Sequence, residues 1–214
     1  FHLASSPRGH HSTPVLSTGS DIRGNDHFMR YLFLLLCVLG SNLMAGNVLV
    51  IDDRDSGNLD SALGPAWRLL TDGVMGGISE GTLKPDRMDG RGCLRMQGDV
   101  SLENNGGFIQ IALSVKDTAA VDASSYSGIA LDVYGNDEPY NLHLRTGDLW
   151  LPWQSYRATF EAPAHWQRVR LPLADFKPYK TGSKLDLAEL ERLGIVAIGR
   201  AFHADLCVAH VDYT

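Results

Sequence analysis

From residue 47 onward the apolar residues of this chain come in short runs broken by Gly, Asp, Asn and Pro, with very little helical spacing. Such punctuation predicts a mostly β domain, because half-buried strands need only a few alternating residues between turns. The clearest run is GIALDVYG, where Ile129, Leu131 and Val133 alternate with Ala130, Asp132 and Tyr134. One face is therefore buried and the other wetter. NLHLRTG repeats the pattern with Leu142 and Leu144 inward, and the intervening GNDEPY supplies turn chemistry through Gly135, Asn136, Asp137 and Pro139.

Further strands are expected at 48–51, 67–70, 93–96, 100–102, 108–113, 156–160, 166–171, 195–198 and 206–211. Spacing of this kind suggests a β-sandwich or barrel. One stretch, KLDLAELERLG, reads instead as a short connector helix: Leu187, Leu190 and Leu193 fall three apart, with Asp186 placed to cap the start and Gly194 to close the end. Nothing divides residues 47–214, so they are expected to form one domain.

The first 46 residues differ in kind. Residues 1–28 are rich in Ser, Gly, His and Pro without apolar periodicity, and read as a disordered or non-native leader. Residues 29–46 have a signal peptide's outline: Arg30 near the start, an apolar run from Tyr31 to Leu39, and small residues at Ala45 and Gly46. Met29 is then the natural start, and export to a periplasmic or extracellular location is expected. The alternative is a membrane anchor left uncleaved, although the apolar run is short for a span. Leu35 and Leu36 stand where a lipidation signal at Cys37 would need small residues.

Charge narrows the partners. With 19 Lys and Arg against 25 Asp and Glu, the net charge is −6, which disfavours nucleic acid. After signal cleavage no stable membrane span remains. Cys93 and Cys207 are then a candidate disulfide for an exported chain, with two separate buried thiols as the alternative.

The segment WRLLTDGVMGGISEG (67–81) combines Trp67, Asp72 and Met75 with Gly73, Gly76 and Gly77. A phosphate cradle would require a following helix, which Gly81 and Pro85 stop. No H-E-x-x-H, C-x-x-C or G-x-S-x-G motif occurs, and His143, His165, His203 and His210 are scattered, so no catalytic set, cofactor or metal site is expected. His203 and His210 with Asp205 and Asp212, or the acidic run at Asp52, Asp53 and Asp55, read as surface polar groups before they read as ligands. In SLENNGGFIQIAL, Asn104, Asn105, Gly106 and Gly107 suit a tight hairpin turn, though the two Asn side chains remain candidates for contact with a ligand. The best hint of binding is the aromatic density of 148–172, with Trp150, Trp153, Tyr156, Phe160 and Trp166. Five such side chains need polar partners or an exposed role.

The order of these pieces carries a resemblance. Trp67, DGVMGGIS, GDVSLENNGGF, YSGIALDVYGND, YNLHLRT, WQSYRATF and WQRVRLPLADFKP together resemble the family named for the NADH:ubiquinone oxidoreductase (complex I) intermediate-associated protein of thirty kilodaltons, over about residues 48–213. The resemblance implies a galactose-binding-like jelly-roll β-sandwich. In such a fold DGVMGG would be a structural corner, with Asp72 satisfying turn amides, Met75 tucked against the core and Gly76 and Gly77 allowing close backbone approach. Mitochondrial members are assembly factors that bind and do not catalyse, so the resemblance implies a chaperone-like domain with a protein partner, respiratory-complex subunits among them. The export signal, in place of an Arg-rich mitochondrial one, separates this chain from part of that role. A second reading is an exported carbohydrate-binding module, with Trp153, Tyr156 and Arg145 offered to a glycan. An enzyme would require Asp72, His143 and Arg145 around one pocket.

Overall fold

A computed structural model describes residues 47–214 of the chain, the residues from Asn47 through Thr214. The leader and the signal-like segment lie outside the described residues. Twelve strands follow in order: β1 (Leu49–Asp52), β2 (Arg68–Thr71), β3 (Glu80–Met88), β4 (Arg91–Val100), β5 (Phe108–Ser114), β6 (Gly128–Tyr134), β7 (Glu138–Thr146), β8 (Ser155–Ala162), β9 (Gln167–Pro172), β10 (Lys177–Tyr179), β11 (Leu190–Ile198) and β12 (Phe202–Tyr213). They form two antiparallel six-stranded sheets. The first runs β3-β4-β12-β6-β9, with β1 also paired to β12, and the second runs β10-β8-β7-β11-β5-β2. This is a jelly-roll β-sandwich, the fold class the resemblance implies.

Alternation along the strands places the core between the sheets. Ile129, Leu131 and Val133 of β6 face Leu142 and Leu144 of β7, Leu193 and Ile195 of β11, and Ile109 and Ile111 of β5 within one buried cluster. Each fully buried aliphatic side chain there contributes roughly 1.5–3 kcal/mol of transfer free energy. Trp67 is also core, and its indole Nε1 donates to Asp52 Oδ2 at 2.6 Å. Arg54 bonds the same carboxylate, so the acidic run after β1 is organised from within the chain.

Three expectations change. The connector helix is absent: Leu190–Ile198 is β11, a central strand paired with both β5 and β7. Leucines three apart reach the same face because the register shifts between Leu190 and Arg192, and a bulge adds one residue to the alternation. Asp186 still accepts from the Ala188 amide at 3.0 Å, but in a turn, and Gly194 lies inside the strand. The Asn104–Gly107 segment is not a hairpin, since β4 and β5 belong to different sheets and the chain crosses between them there. It contains a short 3-10 turn, Glu103–Asn105, with Asn104 at φ 54°. Finally, the expected strands left out β3: Gly81 and Pro85 do keep a helix from following the 67–81 segment, but they sit in this edge strand, which tolerates a residue lacking an N–H.

Cys93 on β4 and Cys207 on β12 are joined by a disulfide on the outer face of the first sheet, beside Met88, Tyr134 and Trp166. Trp166 is therefore not in the main core, and its Nε1 donates to the Met88 carbonyl at 3.0 Å. Non-reducing peptide mapping of the protein is expected to recover one linked peptide pair containing these two residues.

Candidate functional site: a groove on the concave sheet

The second sheet turns its outward residues into a groove of about 350 Å³. Its floor follows the strand register. Arg157 on β8 stands opposite His143 on β7, which stands opposite Gly194 on β11; one row along, Arg145 pairs with Arg192. The Gln110 side chain from β5 lies over Gly194, where a Cβ would come within 2.4 Å of its amide nitrogen.

Two loops form the rims. On one side stand Val74 and Met75, from the 3-10 turn Asp72–Met75, with Leu102. On the other stand Pro152 and Trp153, from the loop between β7 and β8. Val74, Met75, Leu102 and Trp153 are all exposed, a concentration of large apolar side chains around one opening, and Trp150 and Leu151 are exposed in the same loop as Trp153 without lining the groove.

Asp72 fixes the first rim. Wholly buried, it accepts at Oδ1 from the Ser79 amide (2.9 Å) and at Oδ2 from the Ser79 hydroxyl and the amides of Gly107 (2.5 Å) and Phe108 (3.2 Å). One carboxylate thus ties the 72–79 corner to the crossover between the sheets. The glycines are required by that approach: a Cβ on Gly77 would overlap Asp72, and one on Gly106 would lie 2.5 Å from Oδ2. Gly76 closes the turn with a left-handed φ of 89°. Burial works to raise the Asp72 pKa, but the bonds from Ser79, Gly107 and Phe108 outweigh it and hold the carboxyl below its ordinary value.

Arg145 fixes the second rim. Its guanidinium donates to the carbonyls of Leu149 (2.9 Å), Leu151 (3.0 Å), Pro152 (3.2 Å) and Gln154, folding the loop that carries Trp150 and Trp153 around itself. Arg145→Met is expected to raise amide hydrogen exchange across 149–154 while leaving β6 and β12 protected, at a stability cost of about 1–2 kcal/mol.

The family model for Complex I intermediate-associated protein 30 (CIA30) matches residues 58–206. The chain belongs to the CIA30 family. No curated protein matched its sequence. In fold, the CIA30 domain is similar to the family 11 carbohydrate-binding module of the cellulosomal cellulase Lic26A-Cel5E of Clostridium thermocellum, with a TM-score of 0.63 at 12% identity, covering 79% of this chain and 95% of that one. The same family 11 module in complex with a β-1,3-1,4-mixed-linked tetrasaccharide matches with a TM-score of 0.62 at 10% identity, over 79% and 96% of the two chains. The family 30 module of the cellulase Cel9D-Cel44B of C. thermocellum follows at 0.56 and 17%, over 78% and 97%. At these identities the likeness is one of fold.

Within the CIA30 domain, the residues singled out from sequence part company. Arg145 and Trp153 line the groove, and Gly106 and Gly107 line it through their backbone. Tyr156 does not: it points into the core from β8, between outward Ser155 and Arg157, and its hydroxyl donates to the Lys184 carbonyl at 2.9 Å. Met75 is not tucked against the core but stands on the rim, because the corner is anchored through Asp72 and turns its apolar side chains to solvent. Asn104 is exposed and outside the groove lining, in the 3-10 turn Glu103–Asn105 that precedes the Gly106-Gly107 edge. Asp72 is behind the rim with its oxygens occupied, so it does not join His143 and Arg145 in one pocket. Gly73 donates its amide to Thr71 Oγ1 at 3.3 Å.

Arg157, Arg192, His143 and Gln110 were not singled out as a set. Their common signal is the outward position in four strands that become neighbours only through the topology. Among the described residues no group of three or more His, Cys, Asp or Glu is placed to hold a metal, and no helix is long and apolar enough to cross a membrane. His203 instead meets Asp99 at 2.8 Å, and Asp205 pairs with Arg95.

Proposed function

We propose that this CIA30 domain is a non-catalytic, chaperone-like binding module that takes an extended segment of a protein partner along the concave groove, and that it works after export. The observation that carries the reading is the pairing of a groove with exposed apolar rims held in place by hydrogen-bonded anchors, the buried Asp72 on one side and the half-buried Arg145 on the other. A surface that keeps Val74, Met75, Leu102 and Trp153 in water while fixing the loops beneath them is built for association. Membership of the family named for complex I assembly makes respiratory-complex subunits the first partners to seek.

Capture from the native membrane fraction with the wild type and with Trp153→Ala tests this. Recovery of respiratory-complex subunits with the wild type, reduced about tenfold in the variant, is expected for loss of one well-packed aromatic anchor. Equal recovery by both would remove the groove from the account. A second reading, glycan binding, is favoured by Trp153 in the groove together with the carbohydrate-binding folds of the structural neighbours. A glycan array with the same two proteins separates the readings: a sugar signal lost in Trp153→Ala supports the glycan.

A further inference from the structure

Four cations gather in the groove. Arg145, Arg157, Lys180 and Arg192 line it, no Asp or Glu does, and none of the four forms an ion pair among the described residues. On the outer face of the other sheet three arginines are matched, Arg91 with Asp132, Arg95 with Asp86 and Asp205, and Arg168 with Asp132 and Asp212, while Arg170 on β9 is not. In an acidic chain, four cations with no carboxylate among them make this concavity a locally positive patch.

The floor adds a polar atom with no partner. His143 is only 7% exposed, lines the groove, and its Nε2 makes no hydrogen bond within the protein. A buried ring nitrogen without a partner carries a desolvation cost that a ligand atom can relieve. The surrounding shifts point the same way: burial first, and then the Arg157 charge, pushes His143 down to about 3, while burial lowers Arg145 and Arg157. Each is relieved by an anion. With the Arg145 guanidinium committed to the loop carbonyls, the Arg157 and Arg192 guanidinium groups are the charged donors left to the floor, so the fitting ligand is rich in acceptors.

We propose that the groove floor is a carboxylate-binding subsite, in which Arg157, Arg192 and the Nε2–H of His143 receive Asp or Glu side chains of an extended protein segment, while neighbouring apolar side chains of that segment lie against Met75, Leu102 and Trp153. The rims decide for a peptide over an acidic sugar. One rim is aliphatic and thioether, which suits amino-acid side chains, and the ring of Tyr179 is already covered by the Arg157 guanidinium at 3.4 Å, leaving Trp153 on the other rim to serve either ligand. Strand spacing sets the two cationic rows about 7 Å apart, the separation of alternate side chains on an extended ligand. This assignment rests on the groove reading above and specifies its ligand chemistry.

Isothermal titration with three probes tests it: a short capped peptide of Glu, Leu and Ser, its counterpart with Gln in place of Glu, and oligogalacturonate. The acidic peptide is expected to bind at least about tenfold more tightly than the Gln peptide, the equivalent of one charge-assisted contact. Arg192→Gln, at an exposed and unpaired side chain, and Arg157→Gln are each expected to lose about tenfold for the acidic peptide only, whereas Arg170→Gln on the other sheet leaves it unchanged. Equal binding of both peptides, still sensitive to Trp153→Ala, would overturn the carboxylate assignment and keep the groove. Binding of neither peptide would overturn both. Preferential binding of oligogalacturonate would replace the protein segment by an acidic glycan.

Discussion

Asp72→Ala is expected to lower the stability of the domain by about 4 kcal/mol and to release both the 72–79 corner and the 101–108 crossover. The substitution leaves three backbone N–H groups and one hydroxyl facing a hole where a charged acceptor stood, and unmade bonds to a charge are the expensive kind. Asp72→Asn is expected to lose nearly as much, because either amide orientation turns an NH2 toward amide donors. The acid side follows. The folded carboxyl titrates below its ordinary value of 3.8, so the unfolded chain binds the proton first as pH falls. The Asp72 contribution is therefore complete above that value and disappears on acidification through the folded pKa. Urea midpoints at neutral pH, with exchange measured at Gly107 and Phe108, check the loss. A midpoint within about 0.5 kcal/mol of wild type would show that the loops hold without this carboxylate.

Stability is also expected to fall by about 4 kcal/mol between pH 6.5 and pH 3 because of His143 alone. Burial, seconded by Arg157, lowers its folded pKa to about 3 from 6.5. Between those values the unfolded chain takes up a proton that the folded floor refuses, so acid favours unfolding throughout the window. His143→Gln keeps a polar side chain without the titration and is expected to flatten the curve above pH 5, where carboxylates have scarcely begun to protonate. Denaturant unfolding at intervals across that range checks it, and identical slopes in variant and wild type would count against a neutral buried imidazole.

Much of the fold was legible because most strands obey period-two burial: Ile129, Leu131 and Val133 are inward in the sequence pattern and in the sandwich. Where the pattern failed, the cause is local geometry. A bulge near Arg192 gave leucines a helical spacing in a strand, and an edge position let Pro85 sit inside β3. The candidate site was legible only in part. The glycines beside Asp72 announced a close approach, yet the approach is to a carboxylate shared by two loops far apart in the chain. Tyr156 was misread because its neighbours Ser155 and Arg157, not the tyrosine, take the outward positions of β8. The cationic floor could not be assembled beforehand, since β5, β7, β8, β10 and β11 meet only through the sheet order β10-β8-β7-β11-β5-β2.

The central claim is that the concave groove, and not the face bearing Trp166 and the disulfide, is the surface that binds. Photo-crosslinking in the native host with a benzophenone amino acid at position 153, or at position 170 on the opposite sheet, tests it most directly. The account predicts protein adducts from position 153 and none from 170; adducts from 170 alone, or equally from both, would contradict it.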